Sequence, residues 1–144
     1  MNEGSPRQFV DTNVLIYAHD TTAGEKRLRS RDVLEELWES GEGCVSVQVL
    51  QEFFVNVTRK IPNKLDAGTA ASILESLSAW RVHEPRTSDV FAAVAIHQRT
   101  GISFWDAMIV YSASSMGCGV LWSEDLNAGQ SYEGVEVRTP FTGT

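Results

Sequence analysis

Apolar positions along this chain fall either in short continuous runs or in stripes at helical spacing, and the first switch between the two is the sharpest. Phe9 and Val10 suit a strand covered on both faces, whereas Val14, Leu15 and Ala18 lie on one side of a helix that Asp11, Thr12 and Asn13 can cap. Asp11 therefore stands at the carboxyl end of a buried strand, the edge of an open parallel sheet where ligands collect. An aspartate there is also an ordinary helix cap, and this stretch alone leaves both roles open.

The alternation continues. Over 24–40, Leu28, Val33, Leu34, Leu37 and Trp38 share one side and predict an amphipathic helix buried along it, ended by Gly41 and Gly43. Lys26, Arg27, Arg29 and Arg31 give it a basic shoulder, read as a solvated face. A short strand over 44–46 leads into a helix with the stripe Val49, Leu50, Phe53, Phe54 and Val57. Glu52 lies off that stripe, on the side of Asn56, Arg59 and Lys60, and taken alone it reads as a surface glutamate.

Asp66 can cap a further helix that buries Ala70, Ile73, Leu74 and Leu77; a short strand follows over 81–83. Thr87 or Ser88 is expected to cap the next helix, which carries Val90, Phe91, Val94 and Ile96 and closes at Gly101. The helix opening at Ser103 is apolar on most sides and stops at Gly117, and Ser103 with Asp106 fits a capping box. The stretch 119–123 is a second strong strand running into Glu124 and Asp125, and 135–138 alternates as an edge strand does.

Strands alternating with helices imply an α/β fold: a central, mostly parallel sheet of about five strands with helices on both faces and right-handed crossovers. The two strongest strands, ending in Asp11 and Asp125, are expected to be central neighbours. With 144 residues, 42% of them hydrophobic, a single domain over 1–144 can bury a core without disulfides or metal staples. No stretch reads as a leader or a membrane span, so a soluble, cytoplasmic protein is expected.

Chemistry changes the picture further. Cys44 and Cys118 sit among apolar neighbours as reduced core residues, and His19, His83 and His97 are scattered, so the pattern supports neither a zinc centre nor a Cys-His pair. A net charge of −7 argues against broad nonspecific nucleic-acid binding. It leaves room for a nucleic-acid enzyme, because carboxylates that gather divalent cations reverse the local sign where a phosphate must sit.

Four acidic motifs in order, Val10-Asp11-Thr12-Asn13, Gln51-Glu52-Phe53, Phe104-Trp105-Asp106-Ala107 and Ser123-Glu124-Asp125-Leu126, resemble the PIN domain family and particularly its VapC-type toxins. The resemblance covers nearly the whole chain and implies a three-layer α/β/α PIN-like fold. It implies a metal-dependent endoribonuclease, the toxic half of a type II toxin-antitoxin pair, whose products carry 5′-phosphate and 3′-hydroxyl ends. Carried over, the acidic site is Asp11, Glu52, Asp106 and Asp125, with Thr12 or Asn13 and Ser123 as polar support. Glu124 is expected to be solvated, and Asn127 is a candidate for assisting a peripheral ligand through water.

The chemistry supports that reading independently. Two carboxylates about 4 Å apart repel by roughly 4 kcal/mol at an effective dielectric of about 20, so four converging acids need a cation. Carboxylates suit Mg2+ or Mn2+, which can activate water for attack on phosphorus and stabilise the leaving oxygen. A haloacid-dehalogenase-type phosphotransferase needs a second Asp where Asn13 stands, and a receiver domain needs an acidic pair and a late Lys that are absent here. The rival of another class is a catalytically silent PIN-fold module acting through dimerisation or antitoxin binding. RNA as substrate and an antitoxin as partner follow from the resemblance; a homodimer is expected from it and from apolar residues beyond single stripes, including Phe53, Phe54, Trp80 and Phe91.

Overall fold

The computed structural model describes residues 6–141. In chain order the elements are β1 (Arg7–Val10), α1 (Thr12–His19), α2 (Glu25–Ser40), β2 (Gly43–Ser46), α3 (Val47–Arg59), α4 (Ala67–Leu77) and β3 (Arg81–His83). They continue as α5 (Thr87–Thr100), α6 (Phe104–Ser115), β4 (Cys118–Trp122), β5 (Ser131–Tyr132) and β6 (Val135–Arg138). The sheet order is β3-β2-β1-β4-β6-β5, parallel except for the β5–β6 hairpin.

That order explains where the site lies. From β1 the chain steps to β2 and then β3 in one direction, with α1 to α4 in the crossovers; α5 and α6 then carry it back past β1 to β4. Right-handed crossovers place the two helix groups on opposite faces. Accordingly, α1 packs on α2 and α3, α3 on α4, and α5 on α6, with α6 also against β2, β4 and β6. The direction of winding reverses between β1 and β4, whose carboxyl ends form the crevice in which such sheets bind ligands. Phe9 pairs with Leu121 and Val10 with Trp122, and the ladder runs on as the Asp11 N–H donates to the Trp122 carbonyl at 2.9 Å.

Phe9, Val10, Val45 and Leu121 are wholly buried between the helix layers, as are Val49, Phe53 and Val57 on the inner side of α3. Several expectations need correction. The described residues form six strands, and β6 is an interior strand covered by β5, so 135–138 is not the edge. The missed β5 is two residues long and is joined by Glu133 and Gly134, both at positive φ (51° and 81°), a two-residue hairpin turn that matches sheet twist. On α2, Leu34 and Leu37 are buried but Leu28 and Trp38 are 55% and 46% exposed, because α1 covers only part of the stripe.

Neither Thr87 nor Ser88 caps α5. Arg86 occupies that position, and the Asp89 carboxylate accepts the Arg86 backbone N–H at 2.8 Å. The second strong strand ends at Trp122, leaving Ser123 just beyond it. Of the residues counted as surplus apolar surface, Phe53 and Trp80 belong to the core, Phe54 is half-buried and only Phe91 is well exposed. Cys44 and Cys118 are buried free thiols on the strands flanking β1.

Candidate metal centre

Asp11 ends β1 and caps α1, so the two roles open at the sequence level coincide in one side chain. One carboxylate oxygen, Oδ1, accepts the Thr12 N–H at 2.7 Å; the other, Oδ2, accepts the Ser123 hydroxyl at 2.8 Å. Ser123, itself buried, also accepts the Asp125 N–H at 3.1 Å and so ties the two acid-bearing strand ends together. Asp106 lies in the first turn of α6, where the Ser103 hydroxyl accepts its N–H at 3.1 Å. The reciprocal half of the expected capping box is missing from the hydrogen bonds of the described residues. Instead, the Asp106 carboxylate faces the other acids.

Asp11, Asp106 and Asp125 each offer a carboxylate oxygen, and the three atoms lie within 4.8 Å of one another. Glu52 stands beside this triangle without being part of it. Its Oε1 accepts the Thr12 hydroxyl at 2.7 Å and its Oε2 accepts the Gln48 amide at 3.2 Å, so Thr12 links Asp11 to Glu52. Taken alone Glu52 reads as a surface glutamate; its hydrogen bond to Thr12 joins residues forty positions apart and leaves no local signal.

The electrostatics are those of a site short of positive charge. Burial, followed by the charges of Asp125 and Asp106, pushes the Asp11 carboxyl up to about 7 despite the Ser123 and Thr12 hydrogen bonds. Burial likewise raises Asp106, with the charges of Asp125 and Glu52 adding to it. The donor set consists of hard carboxylate oxygens, which fit Mg2+ or Mn2+ and would suit zinc poorly. A divalent cation bound to Asp11, Asp106 and Asp125 would offset both the burial of the Asp11 charge and its repulsion by the other two acids.

Of the polar support, Asn13 Oδ1 accepts the Glu124 N–H at 3.3 Å, and Asn13 Nδ2 is buried without a partner. Asn127 is exposed and its amide turns to Gln130 at 3.2 Å. Glu124 corrects the expectation of a solvated side chain. It accepts the Tyr17 hydroxyl at 2.7 Å and pairs with Lys26, whose ammonium also sits over the Tyr17 ring, 4.8 Å from its centroid. Sequence reasoning missed Tyr17 and Lys26. Tyr17 follows Asn13 by four positions and so shares its side of α1, the one signal available; Lys26 was absorbed into a charged face.

A family model described as PIN domain matches residues 9–130. Among solved structures, the chain is similar to a toxin-antitoxin complex from Klebsiella pneumoniae, with 20% identity and a TM-score of 0.69 over 93% of this chain and 98% of that one. It is similar to a DNA-bound VapBC from Salmonella typhimurium, with 19% identity and a TM-score of 0.64 over 94% and 99% of the two chains. It also resembles Mycobacterium tuberculosis VapC20, described as a sarcin-ricin loop cleaving toxin, with 20% identity and a TM-score of 0.59 over 79% and 86%. At such identities the likeness establishes the fold. Comparison with curated proteins gives no match.

Proposed function

This chain belongs to the PIN domain family, and from that premise we propose that it is a Mg2+- or Mn2+-dependent endoribonuclease, the toxin of a type II toxin-antitoxin pair. The observation that carries the proposal is the convergence of Asp11, Asp106 and Asp125 at the winding reversal of the sheet, with Glu52 hydrogen-bonded alongside. The likeness to toxin-antitoxin complexes and to an RNA-cleaving toxin supports it.

In this reading Asp11, Asp106 and Asp125 hold the cation, and Glu52 adds its charge to the field that retains it. A divalent cation held there supplies Lewis acidity: it offsets the carboxylates, draws a phosphodiester into an acidic site and acidifies water for attack on phosphorus. Ser123 fixes the separation of Asp11 and Asp125, since one hydroxyl serves both. Thr12 fixes Glu52 relative to Asp11. Pre-set ligands of this kind need no rearrangement on loading, and no side-chain nucleophile is required.

An antitoxin partner fits the groove of about 710 Å³ between α2 and α4, where exposed Leu28 and Trp38 join Leu34, Ile73 and Leu77. Asp32, Glu35 and Glu39 outnumber Arg31 along it, so the segment that lies there is amphipathic and basic, and an Arg carried onward can bridge the acidic site. A homodimer is supported by the exposed Val90, Phe91 and Trp105, which line one surface cleft on α5 and α6. No described helix is long and apolar enough to cross a membrane, and action on the cell's own RNA would take place in the cytoplasm. The test is degradation of RNA by the purified chain in Mg2+ or Mn2+, lost in EDTA and restored by added metal; cleavage indifferent to EDTA, or none with either metal, contradicts the proposal.

A further inference from the structure

The acids do not close the crevice they occupy. Beyond Glu52 and Asp125 it continues as a cleft of about 490 Å³ between α1 and α3, reaching Lys60 at the end of α3. Lys60 follows Glu52 by eight positions, roughly 12 Å along a helix axis, so its backbone stands well outside the metal centre. Among the described residues its ammonium has no carboxylate within ion-pair distance, whereas Lys26 near the same site is neutralised by Glu124.

The remaining lining has two characters. Ile16 and the 44% exposed Val55 present aliphatic surface on opposing helices. The amides of Asn13, Gln51 and Asn56 line the cleft around that surface, Asn56 donating to the Glu52 carbonyl at 2.8 Å. Apolar faces for an unstacked base, amides for its edge and a cation for the next phosphate describe a nucleotide of single-stranded RNA. The groove between α2 and α4, apolar with acids in excess, has the opposite composition and suits a peptide.

We propose that the α1–α3 cleft is a subsite for the nucleotide adjoining the scissile phosphate of a single-stranded RNA, with Lys60 on the following backbone phosphate and Ile16 and Val55 against the base. The inference rests on the nuclease reading and adds the direction in which the strand leaves the acids. Lys60 is then a binding residue whose contribution is electrostatic and therefore salt-dependent.

The experiment measures anisotropy of a fluorescein-labelled, randomised RNA decamer across a salt titration. It uses Asp106→Asn protein, so that the strand stays intact, with and without Lys60→Gln. Release of one counterion from a single strand contributes about 0.7 to the salt slope, which corresponds to roughly eightfold in Kd at about 50 mM salt. Lys60→Gln should remove both, and Lys64→Gln, an exposed lysine outside the cleft, should remove neither. Unchanged melting temperatures show that each variant folds. An unaltered Kd and slope in Lys60→Gln, or an equal loss in Lys64→Gln, overturns the subsite and leaves the cleft to a protein partner. If, in addition, the unsubstituted chain cleaves no RNA with Mg2+, the nuclease reading itself has failed; if it does cleave, only the subsite has.

Discussion

Two buried aspartates stand at the starts of helices on the same edge of the sheet, and their surroundings differ in sign. Asp89, 9% exposed, accepts the Arg86 N–H and lies 3.2 Å from His83 Nε2, while His83 Nδ1 is 2.7 Å from the Ser112 hydroxyl. The Arg86 hydrogen bond, then the neighbouring His83 and the Tyr111 hydroxyl, hold its carboxyl below the ordinary range. Asp11, 4% exposed, has a similar number of donors, but its burial, and after it two further carboxylates in place of a histidine, drive its carboxyl up. Asp89 is balanced within the fold, whereas Asp11 is not, as expected of a carboxylate whose proposed partner is a cation.

The largest difference concerns turnover. Asp11→Asn and Asp125→Asn should lower metal-dependent RNA cleavage by about a hundred- to a thousandfold, the effect of removing one preorganised electrostatic group. Asp89→Asn should leave cleavage near wild type in the same gel assay. Loss of activity in Asp89→Asn at unchanged stability would break the comparison.

Next in size is the pH dependence of the metal-free fold. Asp11 has a folded pKa above its unfolded one, so folding takes up a proton, and its contribution to stability declines as pH rises from about 4 to about 7. The whole change is on the order of 4 kcal/mol for a shift from 3.8 to about 7. Asp89 has a depressed folded pKa, so its contribution is present above the unfolded value and is lost as pH falls through the lowered one. Urea melts in EDTA from pH 4 to 8 should show the upper decline in wild type and its absence in Asp11→Asn. A wild-type profile that stays flat over that window removes the claim that Asp11 is unbalanced.

The smallest effect is that of the caps themselves. Asp89→Ala should cost about 1 kcal/mol or somewhat more, because the Arg86 N–H and His83 lose their partner. Asp106→Asn should fall between the two classes: it relieves repulsion from Asp125 and Glu52 but gives up the charge that a helix's first turn favours. Chemical denaturation in EDTA ranks the variants, and an Asp106→Asn protein less stable than Asp89→Ala would make Asp106 a structural acid.

Much of this contrast was legible along the chain. Phe9-Val10 and 119–122 could hardly be anything but central strands, and each delivers an acid to its carboxyl end, which is why the adjacency of the two strands that carry Asp11 and Asp125 followed from pattern. What pattern could not supply was anything made by partners far apart. Leu28 and Trp38 have the right spacing to be buried, but spacing says which side a residue faces and not whether another element covers it. The Lys26–Glu124 pair joins residues ninety-eight positions apart, and Thr12 meets Glu52 across forty. The two-residue β5 is shorter than any periodicity, and only the Glu133-Gly134 turn announces it.

The claim that Asp11, Asp106 and Asp125 exist to hold a cation is tested most directly by thermal melts of wild type and Asp11→Asn in EDTA and across a Mg2+ titration. Binding to the folded state alone stabilises by about 2.7 kcal/mol at a hundredfold excess over Kd. The account predicts that wild type melts progressively higher as Mg2+ rises, while Asp11→Asn starts at or above wild type in EDTA and responds much less. An Asp11→Asn protein that is less stable than wild type in EDTA yet gains as much from Mg2+ would show Asp11 to be a structural cap and contradict the site.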